Sequence, residues 1–188
     1  MPSFDPRSTA LVLIDLQQGI AANPELAPRS GEEVVARARD LAARFRAAGA
    51  PVALVHVAFG PGEMPSRNVD QPRLPAGGTP PGFSDFMAGL REEGDIVVLK
   101  HHWGAFIGTD LDLQLRRRGV RTIVLAGIAT NFGVESTARS GWELSYDVVV
   151  VEEACASRSA DLHAFAIENI LPQIARVMTA KSITFGDG

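Results

Sequence analysis

A single cysteine, Cys155, is the only thiol in this 188-residue chain. That excludes an internal disulfide and any metal site built from several cysteines. Basic clusters are missing as well. Eighteen Lys and Arg are scattered through a chain of net charge −4 and pI near 5.6, which leaves no cationic footprint for nucleic acid. No apolar run is long enough to span a bilayer. The N-terminal MPSFDPRSTALVLIDLQQGI is interrupted at Asp15 and has no small-residue cleavage site after it, so a cytoplasmic protein without a membrane partner is expected. Nor is there an internal repeat. Apolar residues, by contrast, make up 46% of the chain, enough for one sizeable core and one domain over 1–188.

Apolar runs alternate with segments of helical period. TALVLID (9–15) reads as a buried strand ending at Asp15. Ser30 and Glu33 have capping-box spacing ahead of Val34, Ala38, Leu41, Ala42 and Phe45, a helical face stopped by Gly49 and Pro51. PVALVHVAF (51–59), DIVVLK (95–100), TIVLAGI (122–128), YDVVVVEE (146–153) and ARVMTA (175–180) read as further strands. Helices are expected at about 110–118 behind a Thr109 cap, at 133–145 and at 159–171. Strands this apolar need cover on both faces. The sequence therefore predicts an α/β, Rossmann-like three-layer fold with a mostly parallel six-stranded sheet. Residues 59–92 break the rhythm with six of the twelve prolines. So long a loop suggests a lid, a pocket wall or a subunit contact, the plainer alternative being a surface insertion.

If the strand order is 3-2-1-4-5-6, ligands bind outside the carboxyl ends of the central strands. Asp15, Lys100 and the turn GIATNFG (127–133) then converge on one crevice. Each has an ordinary reading too, Asp15 as a turn former and Lys100 as a solvated strand end. His101 and His102 are adjacent and point opposite ways on an extended chain, so they make a poor metal pair. His56, between aliphatic neighbours, reads as a satisfied core histidine. GIATNFG matches neither the P-loop nor the dinucleotide fingerprint. It still offers backbone N–H groups at a helix start, suited to an oxyanion or carboxylate.

ALVLIDLQQG, VVLKHHWGAFIGTDL and TIVLAGIATNFGVESTARSGWELSYDVVVVEEACAS together resemble the isochorismatase-like hydrolases of the cysteine hydrolase superfamily, over about residues 9–180. In the amidase branch of that family an Asp, a Lys and a Cys form the catalytic triad. The resemblance places these roles on Asp15, Lys100 and the position held by Gly133, so the nucleophile is absent. Cys155, expected in a turn beyond strand five, does not replace it, and no activating base is expected near Ser136 or Thr137. Isochorismatases share the glycine and cleave a vinyl ether without a covalent enzyme intermediate, which implies Asp15 as general acid. Burial would raise its pKa and Lys100 would lower it, and the sequence leaves that contest open. With no side chain at 133, space is expected for substrate or water.

The resemblance further implies Gln17, Trp103, Ala129, Asn131 and Phe132 as substrate-binding positions, Lys100 or the N–H groups of Ala129 and Gly133 as anion donors, and a non-proline cis peptide at Ile128–Ala129. It implies no cofactor, no metal, a small-molecule substrate and a homo-oligomer, dimer or tetramer. Isochorismatases typically carry an aromatic and a histidine in this turn, where this chain has Ala129 and Asn131. The nicotinamidase metal motif is matched only by His56, without its Asp. Two readings stay open: a hydrolase of a small, anionic metabolite, and a catalytically silent relative that binds a metabolite or acts as an oligomeric binding protein.

Overall fold

Six apolar segments are extended: β1 Thr9–Ile14, β2 Val52–Val57, β3 Ile96–Lys100, β4 Thr122–Ile128, β5 Asp147–Ala156 and β6 Arg176–Met178. In the computed structural model, which describes residues 3–60, 63, 65, 66, 68–71 and 78–186, they form one parallel sheet in the order β3-β2-β1-β4-β5-β6. Every residue of β1 is buried, as expected for a central strand covered on both faces. Alternate residues serve opposite cores. Leu11, Leu13, Leu54, Val124 and Val149 pack against one layer of helices, while Val12, Ile14, Val55, Leu125 and Val150 pack against the other.

The short helix α1 (Gln18–Ala21) was not foreseen. After it comes α2 (Gly31–Ala47), which covers the first core with Val34, Ala38, Leu41, Ala42 and Phe45. Its capping box is complete, Ser30 N donating to Glu33 at 2.9 Å and Glu33 N to Ser30 Oγ at 3.3 Å. The second core is covered by α3 (Leu111–Arg117), α4 (Glu135–Glu143) and the segment continuing α5 (Ala160–Phe165). Thr109 Oγ1 accepts from Leu111 N at 3.2 Å, the role its position suggested.

Four expectations need correction. Strand one ends at Ile14, because Asp15 turns to φ 55, a left-handed conformation that Asp tolerates better than most residues. The helix expected at 133–145 begins instead with a π-helical turn, Thr130–Val134, and that expected at 159–171 breaks after α5 into a second π turn, Ala166–Ile170. β5 runs to Ala156, so Cys155 lies inside the strand and not in a turn. An irregularity sets Leu125–Gly127 of β4 against Val150–Cys155 of β5. Within loop 59–92, residues 61, 62, 64, 67 and 72–77 lie outside the described residues, so its reading as a lid or subunit contact is not carried further. The described part around Phe83–Phe86 docks on Gln17–Gly19.

No helix among the described residues is long and apolar enough to cross a membrane. The helix–sheet seam can be tested directly. Phe45 is fully buried with its ring edge-on to Phe185, centroids 4.9 Å apart. Phe45→Ala is expected to lower unfolding free energy by about 3–5 kcal/mol, and Ser30→Ala by only about 0.5–2 kcal/mol, both read from urea denaturation midpoints.

Candidate active site

Asp15, Lys100 and Gly133 meet at the carboxyl ends of β1, β3 and β4. Lys100 Nζ lies 2.8 Å from Asp15 Oδ2 and donates to Trp103 O at 2.7 Å. Both side chains are out of water, Lys100 at 1% and Asp15 at 5% exposure. Asp15 Oδ1 is buried and has no hydrogen-bond partner among the described residues. Burial wins the contest that the sequence left open: it pushes the Asp15 carboxyl up to about 6, against the opposing charge and hydrogen bond of Lys100 and the more distant charge of His56. One lysine contact, shared with a carbonyl, does not replace the hydration lost by both oxygens.

Two glycines border this crevice. At Gly127, φ is +129 and a Cβ would stand 2.1 Å from Ile14 O, so only glycine lets the end of β4 close on the end of β1 beside Asp15. At Gly133 a Cβ would lie 3.1 Å from Asp15 Oδ2 and 3.5 Å from Lys100 Nζ, aimed at the ion pair, but only 2.9 Å from Ile14 Cγ2. This corrects the expectation of open space. Any side chain at 133 would crowd Ile14 and abut Asp15. Of the two cavities best formed among the described residues, one is lined by Arg46, Gly94 and Asp95 at the amino ends of β2 and β3, and the other by Gln18, Pro80 and Phe83. Neither is lined by Asp15, Lys100 or Gly133.

The remaining candidate residues divide by what their polar atoms already hold. Gln17 is fully buried, its Nε2 donating to Val57 O at 2.9 Å and Phe83 O at 3.0 Å, while its Oε1 accepts from Val57 N at 2.7 Å. These bonds tie β2 to the loop near Phe83. Asn131 Oδ1 accepts from Ser157 Oγ at the end of β5, so this group too is committed to holding the turn. Trp103, 59% exposed, meets half-buried Phe132 edge-on with centroids 4.8 Å apart. The Ile128–Ala129 peptide is cis, as the resemblance implied, and Ala129 O accepts from the N–H groups of Phe132 and Val134. Thr137 Oγ1 donates to Gly133 O at 2.7 Å and accepts from Ala105 N at 3.1 Å, tying the turn to the loop that carries Trp103.

His56 Nδ1 lies 2.8 Å from Ser84 Oγ, and His101 Nδ1 2.7 Å from Ala58 O. Among the described residues no group of three His, Cys, Asp or Glu is placed to hold a metal ion. Cys155 is fully buried, and burial pushes its thiol up to about 12, which makes it inert as a nucleophile near neutrality. One cluster escaped the sequence reading. Thr130, the first residue of the π turn, is hydrogen-bonded to His163 on α5, which is bonded to Glu152 on β5. No spacing signal could have shown it, because each member comes from a different element.

The isochorismatase domain profile matches residues 9–182. The isochorismatase family protein YecD of Escherichia coli O157:H7 is 48% identical over 186 residues, 97% of this chain and 98% of that one. The ureidoacrylate amidohydrolase RutB of Methylobacterium radiotolerans is 33% identical over 193 residues, 89% of this chain and 75% of its own length. Among solved structures, an isochorismatase family protein from Burkholderia thailandensis superposes with a TM-score of 0.91 at 46% identity, covering 97% of this chain and 96% of that one. A profile match over nearly the whole sheet, with relatives this similar end to end, means that the chain belongs to the isochorismatase family of hydrolases.

Proposed function

We propose that this family hydrolase acts without a covalent enzyme intermediate on a small, anionic metabolite of the isochorismate type, a vinyl ether, with Asp15 as general acid. Gly133 then stands where the amidase branch has its nucleophilic cysteine, and the chain falls in a subgroup with glycine in place of that cysteine. The observation that carries the reading is Asp15 Oδ1, buried and unpartnered, on a carboxyl raised to about 6. A group with that value donates a proton near neutral pH, as an ordinary carboxylate does not.

In the proposed reaction the Asp15 proton passes to the terminal carbon of the enol ether and leaves an oxocarbenium ion. Water adds to its carbon and returns a proton to Asp15. The hemiketal then collapses to a carbonyl compound and an alcohol. Lys100 stabilises the carboxylate present between these steps. It has three N–H donors, two of them engaged by Asp15 and Trp103 O, which leaves one for a substrate carboxylate. The N–H groups of Ala129 and Gly133 are further anion donors, and Trp103 and Phe132 form an apolar rim. Gln17 and Asn131 serve the pocket by holding its walls.

A second reading has its own support. The ion pair is almost fully buried, as suits a catalytically silent relative that binds a metabolite elsewhere or works as an oligomer. RutB, by its name, hydrolyses an amide. Transferred to this chain, that chemistry would use ionised Asp15 as a base toward water.

Turnover separates these readings. With isochorismate and simple vinyl ethers as substrates, kcat/KM is expected to be level at low pH and to fall about tenfold per unit above pH 6, because the protonated acid is the active form. Asp15→Asn is expected to lose roughly 10²–10⁴-fold. A rate rising through pH 6 would instead assign Asp15 as a base, and no turnover of any vinyl ether or amide would leave the silent reading. Gly133→Cys places a thiol against Asp15 and Lys100. It is expected to react with iodoacetamide near pH 7 faster than free cysteine, with a lowered Tm from crowding on Ile14. A folded variant whose thiol is slow would remove position 133 from the nucleophile's place.

A further inference from the structure

The π turn is held from its α5 side by a buried polar relay that the proposed reaction does not use. Thr130 Oγ1 lies 2.8 Å from His163 Nδ1, and His163 Nε2 lies 2.9 Å from Glu152 Oε1. Arg29 Nη2 reaches the same Glu152 oxygen at 2.9 Å, while its Nη1 donates to Glu152 O and Cys155 O. Thr130 is fully buried and His163 is 4% exposed. The four residues come from the stretch before α2, from β5, from α5 and from the first position of the turn. A buried histidine with two partners is ordinarily structural. Here, however, the relay ends on the residue three before Gly133, whose Cβ position lies 3.1 Å from Asp15 Oδ2.

Donors and acceptors can be assigned along the relay. Burial raises Glu152, but its hydrogen bonds from His163 and Arg29 and the Arg29 charge outweigh that and hold it below the usual carboxylate range. It is therefore an acceptor, and His163 Nε2 carries a proton. In the tautomer that carries its proton on Nε2, Nδ1 is an acceptor, and the Thr130 hydroxyl donates to it.

We propose that Thr130 and His163 are positioning residues: the Nε2–H imidazole, held by Glu152 and Arg29, accepts the Thr130 hydroxyl and so clamps the Ala129–Gly133 turn over Asp15, keeping water from that carboxyl. The inference does not depend on the reaction proposed above. Its readout is a titration and not turnover, so failure of one is distinguishable from failure of the other.

The test is a carbon-13 NMR titration of the Asp15 carboxyl in the full chain, with nitrogen-15 shifts of His163 recorded at pH 7.5. Wild type and Thr130→Ser are expected to titrate alike. Thr130→Val, which keeps the shape and removes the donor, is expected to lower the Asp15 midpoint by about one pH unit as water enters. The His163 ring is expected to show a protonated Nε2 and a bare Nδ1. An unchanged Asp15 midpoint in folded Thr130→Val, a Thr130→Ser variant that behaves like the valine, or a proton on His163 Nδ1 would overturn the proposal. If Thr130→Val does not fold, Glu152→Gln at the partly exposed end of the relay decides: a downward shift sustains the clamp and an unmoved midpoint overturns it.

Discussion

A lysine ammonium and an aspartate carboxylate buried together at the end of a parallel sheet constrain much of this molecule. Lys100 at 1% exposure can stay charged only with partners at hydrogen-bond distance, and Asp15 Oδ2 and Trp103 O are those partners. Asp15 is in the less satisfied position. One oxygen meets the lysine and the other meets nothing among the described residues, so burial outweighs attraction and the proton is held more tightly than on a free carboxyl. Such pairs add little to stability compared with apolar packing. Their presence in a crevice is better accounted for by chemistry than by folding.

The surrounding architecture brings three distant segments to that pair. Register between β1 and β4 sets Ile14 opposite Gly127, and the missing Cβ at 127 lets the strands close there. Gln17 fixes the end of β2 and the loop near Phe83, Thr137 fixes the loop after β3 to the turn, and Asn131 and Thr130 fix the turn to β5 and α5. Gln17, Asn131, Thr130 and Thr137 thus fasten backbone segments to one another. Trp103 and Phe132 meet edge-on beside that turn, and Asp15 Oδ1 has no hydrogen-bond partner among the described residues.

Much of the fold was legible because the signals are local. Continuous aliphatic runs marked five strands to within a few residues, and the Ser30–Glu33 box marked the start of α2. Asp15 and Lys100 were legible as partners only through the assumed strand order. The failures have a common cause. Cys155 was placed in a turn because VEEACAS resembles the family's turn after that strand, yet a shift in pairing with β4 carries β5 on to Ala156. The π turns at Thr130 and Ala166 follow from how each segment packs, since residue spacing alone reads as ordinary helix. The void expected at Gly133 was filled by Ile14, which is 119 residues away in sequence and adjacent in space.

By itself the sequence determined the layering, because period-two and period-3.6 apolar patterns leave few ways to bury both faces of a parallel sheet. It also limited the thiols to one, Cys155. Only tertiary structure decided the protonation balance of Asp15, the commitment of Gln17 and Asn131 to the scaffold, and the link from Thr130 to Arg29. Those depend on distances between side chains of different elements and on the water excluded between them, and neither quantity is written in any single stretch of chain.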